Sequence, residues 1–126
     1  MFIKIVYVGL GGLLGAISRF CFYELFNKIV PSFPLSTLLV NIVGSALLGF
    51  ILYSFAPGKV LPIEYRHFLN VGFIGAFTTM STFAYETIAL AESGNYVIAL
   101  VNIALNVTLS LSAILGGKWF ALFFWR

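Results

Sequence analysis

Residues 72–86 read Gly-Phe-Ile-Gly-Ala-Phe-Thr-Thr-Met-Ser-Thr-Phe-Ala-Tyr-Glu, in the middle of an apolar span that would otherwise be a plain membrane helix. Gly72 and Gly75 come first, four hydroxyl side chains follow within positions 78–82 (Thr78, Thr79, Ser81, Thr82), and Glu86 closes the stretch. Hydroxyls at that density offer the backbone other hydrogen-bond partners and loosen a helix. Non-helical backbone at membrane depth is tolerated only where it is buried in protein or lines a wet cavity. The stretch therefore predicts a helix broken near its middle, near Gly75, with a site at the break.

The rest of the chain supports a membrane setting. Of 126 residues, 61% are hydrophobic and 9% charged, too little charge to cover a soluble surface. The reading is an all-α integral membrane protein of one domain, 1–126, with spans at about 5–22, 36–55, 67–90 and 96–124. Each span is long enough to cross a bilayer core, which takes about 20 apolar residues. Pro31 and Pro34 stop helical continuation in the first loop. Ala56-Pro57-Gly58-Lys59 signals a turn after the second span, and Gly94-Asn95 another before the fourth. Pro62 to Arg66 reads as a short amphiphilic lead-in to the third. Gly11 and Gly15 have the spacing that lets membrane helices approach closely.

Charge sets orientation more than partners. A formal +3 is too sparse to suggest nucleic acid. Four spans place both termini on one side, with Lys4, Lys59, Arg66, Lys118 and Arg126 there against Arg19 and Lys28 on the other. The bias puts the termini in the cytoplasm and the protein in the cell (inner or plasma) membrane. Lys118, Trp119, Trp125 and Arg126 form an interfacial belt. Lys4 before an apolar run mimics a signal peptide, but the run continues past Arg19 without a cleavage site, so it reads as a span. Cys21 has no disulfide partner and reads as a buried, inert thiol.

Two spans carry polar stripes. Thr37, Asn41 and Ser45 are four apart, as are Asn102, Asn106 and Ser110, so each set falls on one helix face. Such stripes are either interhelical glue or a polar track through the membrane; beside the hydroxyl-rich window they read as a track. Amide and hydroxyl donors without carboxylates suit a small anion. Arg19 is either an electropositive collar at a pore mouth or a snorkelling anchor, or a partner for Glu24. Glu86 is either a pathway or gating group or a carboxylate at a span end. Phe83, inside the hydroxyl window, could turn an electropositive ring edge toward an anion.

The motifs Gly-Gly-Leu-Leu-Gly-Ala-Ile-Ser-Arg at 11–19, Ser-Thr-Leu-Leu-Val-Asn at 36–41 and Gly-Ala-Phe-Thr-Thr-Met-Ser-Thr-Phe at 75–83, with Glu86 and Gly94-Asn95-Tyr96 after them, give the chain a likeness. It resembles the small fluoride channels of the Fluc type, also called CrcB, over essentially its whole length. The resemblance implies an antiparallel, dual-topology homodimer with two pores and passive, selective export of fluoride. It also implies a structural sodium ion at the dimer interface, held by the backbone carbonyls of Gly75 and Thr78. By position it places Arg19 in the vestibule. Thr37, Asn41, Thr79, Phe83, Asn106 and Ser110 fall along the ion pathway, and Met80 stands where the family has its first pore phenylalanine. No enzymatic chemistry is implied. Two alternatives remain: a proton-coupled exporter like the small multidrug transporters, and a non-transporting membrane assembly protein. The first wants a carboxylate deep in span one, where this chain has only Glu24 at the edge; the second leaves the matched stripes unexplained.

Overall fold

A computed structural model describes residues 1–54 and 61–124. The turn at Ala56–Lys59, the end of the second span at Phe55, and the belt residues Trp125 and Arg126 lie outside the described residues. Among the described residues every regular element is helical. Helix α1 (Phe2–Phe26) is longer at both ends than its apolar core suggests. Helix α2 (Leu35–Tyr53) starts directly after Pro34, whose ring cannot continue a helix from the preceding loop. Helix α6 (Tyr96–Phe124) follows a turn in which Gly94 adopts φ 81°, a conformation that favours glycine. These three helices are long and apolar enough to cross a membrane.

The third crossing is made of pieces. Helix α3 (Ile63–Arg66), the amphiphilic lead-in, runs without interruption into a π-helical segment (His67–Ile74) and then α4 (Gly75–Phe77). The chain becomes extended at Thr78 (φ −78°, ψ 160°) and Thr79 (φ −151°, ψ 119°). It resumes as α5 (Met80–Glu92). The break therefore lies past Gly75, which is itself helical (φ −61°, ψ −34°). Glycine flexibility does not open the helix; competition for the Thr79 backbone does. The π-helical segment has no counterpart in the sequence reading.

Close backbone approach holds the bundle together. A Cβ at Gly11 would overlap the Phe68 carbonyl, and one at Gly15 the Phe73 carbonyl. From the other side, a Cβ at Gly72 would fall 2.9 Å from the Gly11 Cα. Helix α1 thus packs backbone-to-backbone on the π-helical segment, as the spacing of Gly11 and Gly15 predicts. Helices α2 and α6 repeat the device: a Cβ at Gly49 would overlap Ile114, and one at Gly117 would overlap Ala46. Phe77, 2% exposed, closes the core between Phe22 (edge-on, centroids 5.3 Å) and Phe73 (stacked, 5.8 Å). Leu10, Leu13, Ile17, Leu100 and Leu111 are exposed, a surface suited to lipid rather than water. Cys21 is on this outer surface too, not buried as read from the sequence. In a membrane protein an apolar neighbourhood is as much the outside as the core. Lys118 Nζ lies 4.7 Å from the Tyr53 ring centroid, an interfacial cation–π contact.

Gly11→Ala and Gly15→Ala should each destabilise the protein by about 1–3 kcal/mol, the usual cost of overpacking. Gly9→Ala, with nothing within 4 Å of the added Cβ, should leave it unchanged. Thermal unfolding in detergent compares the three; equal stability would remove the backbone contact as the basis of the α1 interface.

Candidate functional site

The break is held open by one side chain. The Thr79 N–H, which a continuous helix would give to Gly75, donates to Asn41 Oδ1 at 2.9 Å. Asn41 Nδ2 donates back to the Thr79 carbonyl at 3.2 Å. The Asn41 amide thus replaces the ladder on both sides of one peptide residue, answering the demand that buried backbone groups be paired. Thr79 also caps α5: its Oγ1 accepts from the Thr82 N–H at 3.2 Å and donates to Thr82 Oγ1 at 2.9 Å. On the other side Thr78 Oγ1 donates to the Ile74 carbonyl at 3.0 Å. Gly44 leaves room for the Thr78 methyl. The hydroxyl density noticed in the sequence is spent on finishing two helix ends.

Asn41 also reaches α6. Its Nδ2 donates to Asn106 Oδ1 at 3.0 Å. Asn106 Nδ2 in turn donates to Asn102 Oδ1 at 2.9 Å and to the Asn102 carbonyl at 3.1 Å. Asn102, fully buried, donates from Nδ2 to Thr87 Oγ1 at 2.9 Å, and Thr87 donates to the Phe83 carbonyl at 2.7 Å. The stripes of α2 and α6 therefore meet at the break. Beside this network lies a cavity of about 400 Å³. Its wall includes Asn41, Thr78, Thr79, Met80, Phe83, Asn106 and Ser110, all singled out in the sequence, together with Ser45. Phe83 is buried, whereas Met80 is 74% exposed at the open side of the wall.

The remaining candidates lie apart. Arg19 Nη1 donates to the Thr78 carbonyl at 3.3 Å, so its partner is the broken backbone and not Glu24. Thr37, fully buried, donates to Glu86 Oε1 at 2.8 Å and stands 2.5 Å from the Tyr23 hydroxyl. With its proton given to Glu86, Thr37 accepts from Tyr23, which makes a three-helix chain Tyr23–Thr37–Glu86. Glu86 Oε2 is buried without a partner. Glu86 lines a second cavity of about 400 Å³, under the first loop with Pro31, Ser32 and Tyr85. Gly75 is exposed and outside the first cavity. No cluster of three His, Cys, Asp or Glu is found among the described residues. The carbonyls at the break are another matter. Gly75 has lost the Thr79 N–H to Asn41, and the Thr78 carbonyl, on extended backbone, is met only by the long Arg19 contact. Neutral oxygens outside the helix ladder are the donors that sodium takes in unwound membrane segments.

Asn102, Thr87 and Tyr23 were not picked out as site residues from the sequence. Asn102 was visible in its stripe. Thr87 and Tyr23 carry no local signal, since each is a single polar residue near a span end.

The model of the family described as "CrcB-like protein, Camphor Resistance (CrcB)" matches residues 6–118. The chain belongs to this family. It is 49% identical over 111 residues to the "Fluoride-specific ion channel FluC" of Campylobacter lari, covering 87% of this chain and 90% of that protein. The protein of the same name from Campylobacter fetus is 47% identical over 120 residues, covering 94% and 93%. That of Methanocaldococcus jannaschii is 43% identical over 128 residues, covering 98% of each. The resemblance read from the three motifs is thus that of a CrcB family member, and the relatives are named as channels, not enzymes.

Thr79→Ala should cost about 1 kcal/mol of stability through the lost cap, and Thr79→Ser only a few tenths. Detergent melting curves check this; equal melting of Thr79→Ala and the wild type would show that the cap does not hold α5.

Proposed function

We propose that this protein is a fluoride-selective channel that lets the anion leave the cell down its gradient, without ATP and without covalent chemistry. The observation that carries the reading is the cavity at the helix break, largely apolar but bordered by uncharged amide and hydroxyl residues and a buried aromatic, in a chain whose relatives are named fluoride-specific ion channels. Fluoride holds its water strongly, so entry requires donors that replace that water, and release requires that they carry no full charge. Ser45 and Ser110 line the cavity and would offer their hydroxyls as donors. Asn41 and Asn106 border it with amides, and Phe83 with a ring. Arg19, at the broken backbone, supplies positive potential near the path. Thr37 and Glu86 extend the polar groups toward the first loop. The exporter alternative receives no support, because Glu24 is exposed at the end of α1.

The channel is further proposed to be an antiparallel homodimer in the cell membrane with two pores. Met80 and Gly75 are exposed beside the buried Phe77, Thr79 and Phe83, so one side of the break lacks a cover that a second copy would supply. A sodium ion held by the Gly75 and Thr78 carbonyls of both copies would add positive field and tie the broken helices together. The Gly75 carbonyl, which has lost the Thr79 N–H, fits that role; the Thr78 carbonyl would share its oxygen with Arg19.

Liposomes containing the purified protein should release fluoride quickly and chloride negligibly. Fluoride release equal to that of empty liposomes would sink the channel reading. Asn41→Asp should cut the fluoride rate by more than about tenfold, because a carboxylate replaces both amide donors and repels the anion. Unchanged flux would take Asn41 out of the path.

Light scattering in detergent should give twice the mass of one chain. Replacing sodium with N-methylglucamine should lower the melting temperature of that species. A monomer, or a melting point indifferent to sodium, would overturn the dimer or the sodium site respectively. A C-terminal tag should label from both faces of the membrane; labelling from one face alone would overturn dual topology.

A further inference from the structure

The hydrogen bonds around the break form a loop that starts at the N-cap of α5 and ends within α5. It begins at a backbone N–H that can only donate, that of Thr79, given to Asn41 Oδ1. It ends at a backbone carbonyl that can only accept, that of Phe83, met by the Thr87 hydroxyl. Between these fixed ends the direction of every amide is forced. Thr87 has one hydroxyl proton and gives it to Phe83, so only its lone pairs face Asn102. Asn102 must therefore turn Nδ2 to Thr87 and Oδ1 to Asn106. Asn106 must then turn Nδ2 to Asn102 and Oδ1 to Asn41, and Asn41 completes the sequence with Nδ2 toward Asn106. An amide is nearly symmetric in shape, and its orientation is decided by its partners alone. In this chain the partners agree from both ends: the Thr79 backbone sets Asn41, the Asn102 carbonyl sets Asn106, and the Thr87 hydroxyl sets Asn102.

We propose that Thr87 and Asn102 are positioning residues for fluoride passage: through the Thr87–Asn102–Asn106 relay they hold the Asn106 amide in place against Asn41 at the helix break. Both Asn41 N–H groups are committed, to Asn106 Oδ1 and to the Thr79 carbonyl. The relay thus holds the break in one shape and leaves the unengaged donors at the cavity to the serine hydroxyls. Neither Thr87 nor Asn102 lines the cavity; Thr87 is 8% exposed and Asn102 0%. Their effect on the anion must therefore pass through Asn106 and Asn41. If Thr87 loses its hydroxyl, Asn102 Nδ2 is left without that acceptor in a buried site, while the Phe83 carbonyl keeps its helix bond, and the relay loses its fixed end. The Asn102 side chain is then free to turn, and Asn106, still bonded to the Asn102 carbonyl, loses the side-chain acceptor that steadies it against Asn41. The proposal rests on the channel reading for its consequence, but its structural core does not.

Thr87→Val keeps the shape of the side chain and removes the hydroxyl; Thr87→Ser keeps the hydroxyl. In the liposome assay Thr87→Val should slow fluoride efflux by about tenfold, on the scale of one buried polar group left unpaired. It should also lower the ratio of fluoride to chloride flux. Thr87→Ser should stay within about twofold of the wild type in both, the usual range of a neutral substitution. Asn102→Leu gives a second break in the relay and should share the selectivity loss. Hydrogen exchange followed by mass spectrometry should show the backbone amides of the peptide containing Thr79 exchanging about tenfold faster in Thr87→Val than in Thr87→Ser. Glue without a positioning role would alter stability and leave the flux ratio unchanged, and that result would overturn the proposal. So would equal exchange at Thr79 in the two variants. Absence of fluoride flux in the wild type would refute the channel reading, while the exchange comparison would still decide the relay.

Discussion

The fold depends on the two hydrogen bonds between Asn41 and the backbone of Thr79. In a hydrocarbon environment an extended peptide in mid-helix is expensive unless something replaces the helix ladder. A primary amide is the side chain best matched to that task, since it offers an acceptor and donors a peptide's width apart. Because Asn41 answers Thr79, the hydroxyls around it can cap instead of compete, and Gly75 is freed from its usual partner. The same amide reaches α6 and brings the second polar stripe to the break. Opening the helix and joining three elements are therefore one event.

Packing makes that event repeatable. Backbone contact at Gly11, Gly15 and Gly72 locks α1 to the segment before the break, and Gly49 and Gly117 lock α2 to α6. These two pairs set where Asn41 and Asn106 stand relative to Thr79, so glycines remote from the cavity determine its geometry. Phe77 closes the first pair from inside. Between these locked pairs the chain leaves a mainly apolar cavity whose polar lining residues are all uncharged.

The sequence made much of this legible. Three membrane-length apolar helices, the Gly-Asn turn, the glycine contacts of α1 and the meeting of polar groups at the hydroxyl-rich window follow from composition and spacing. So does the set of cavity residues from Asn41 to Ser110, because polar side chains at helical spacing in an apolar span must converge on something. Other features were not legible. The break falls at Thr78–Thr79, beyond the glycine that looked responsible, because a distant side chain and not local flexibility decides it. Arg19 turns to the Thr78 carbonyl and not to Glu24, although Glu24 is only five positions away. Cys21 faces outward because apolar neighbours do not tell inside from outside in a lipid-facing helix.

Sequence alone determined the class of protein, its helical crossings and the kind of chemistry its interior can offer, because hydropathy and helical periodicity are local properties of the chain. Tertiary structure decided which residues are partners: Tyr23 with Thr37 and Glu86, and Thr87 with Asn102. Hydrogen-bond direction is set by what stands opposite each group. For a buried amide, that is fixed only once the helices have packed.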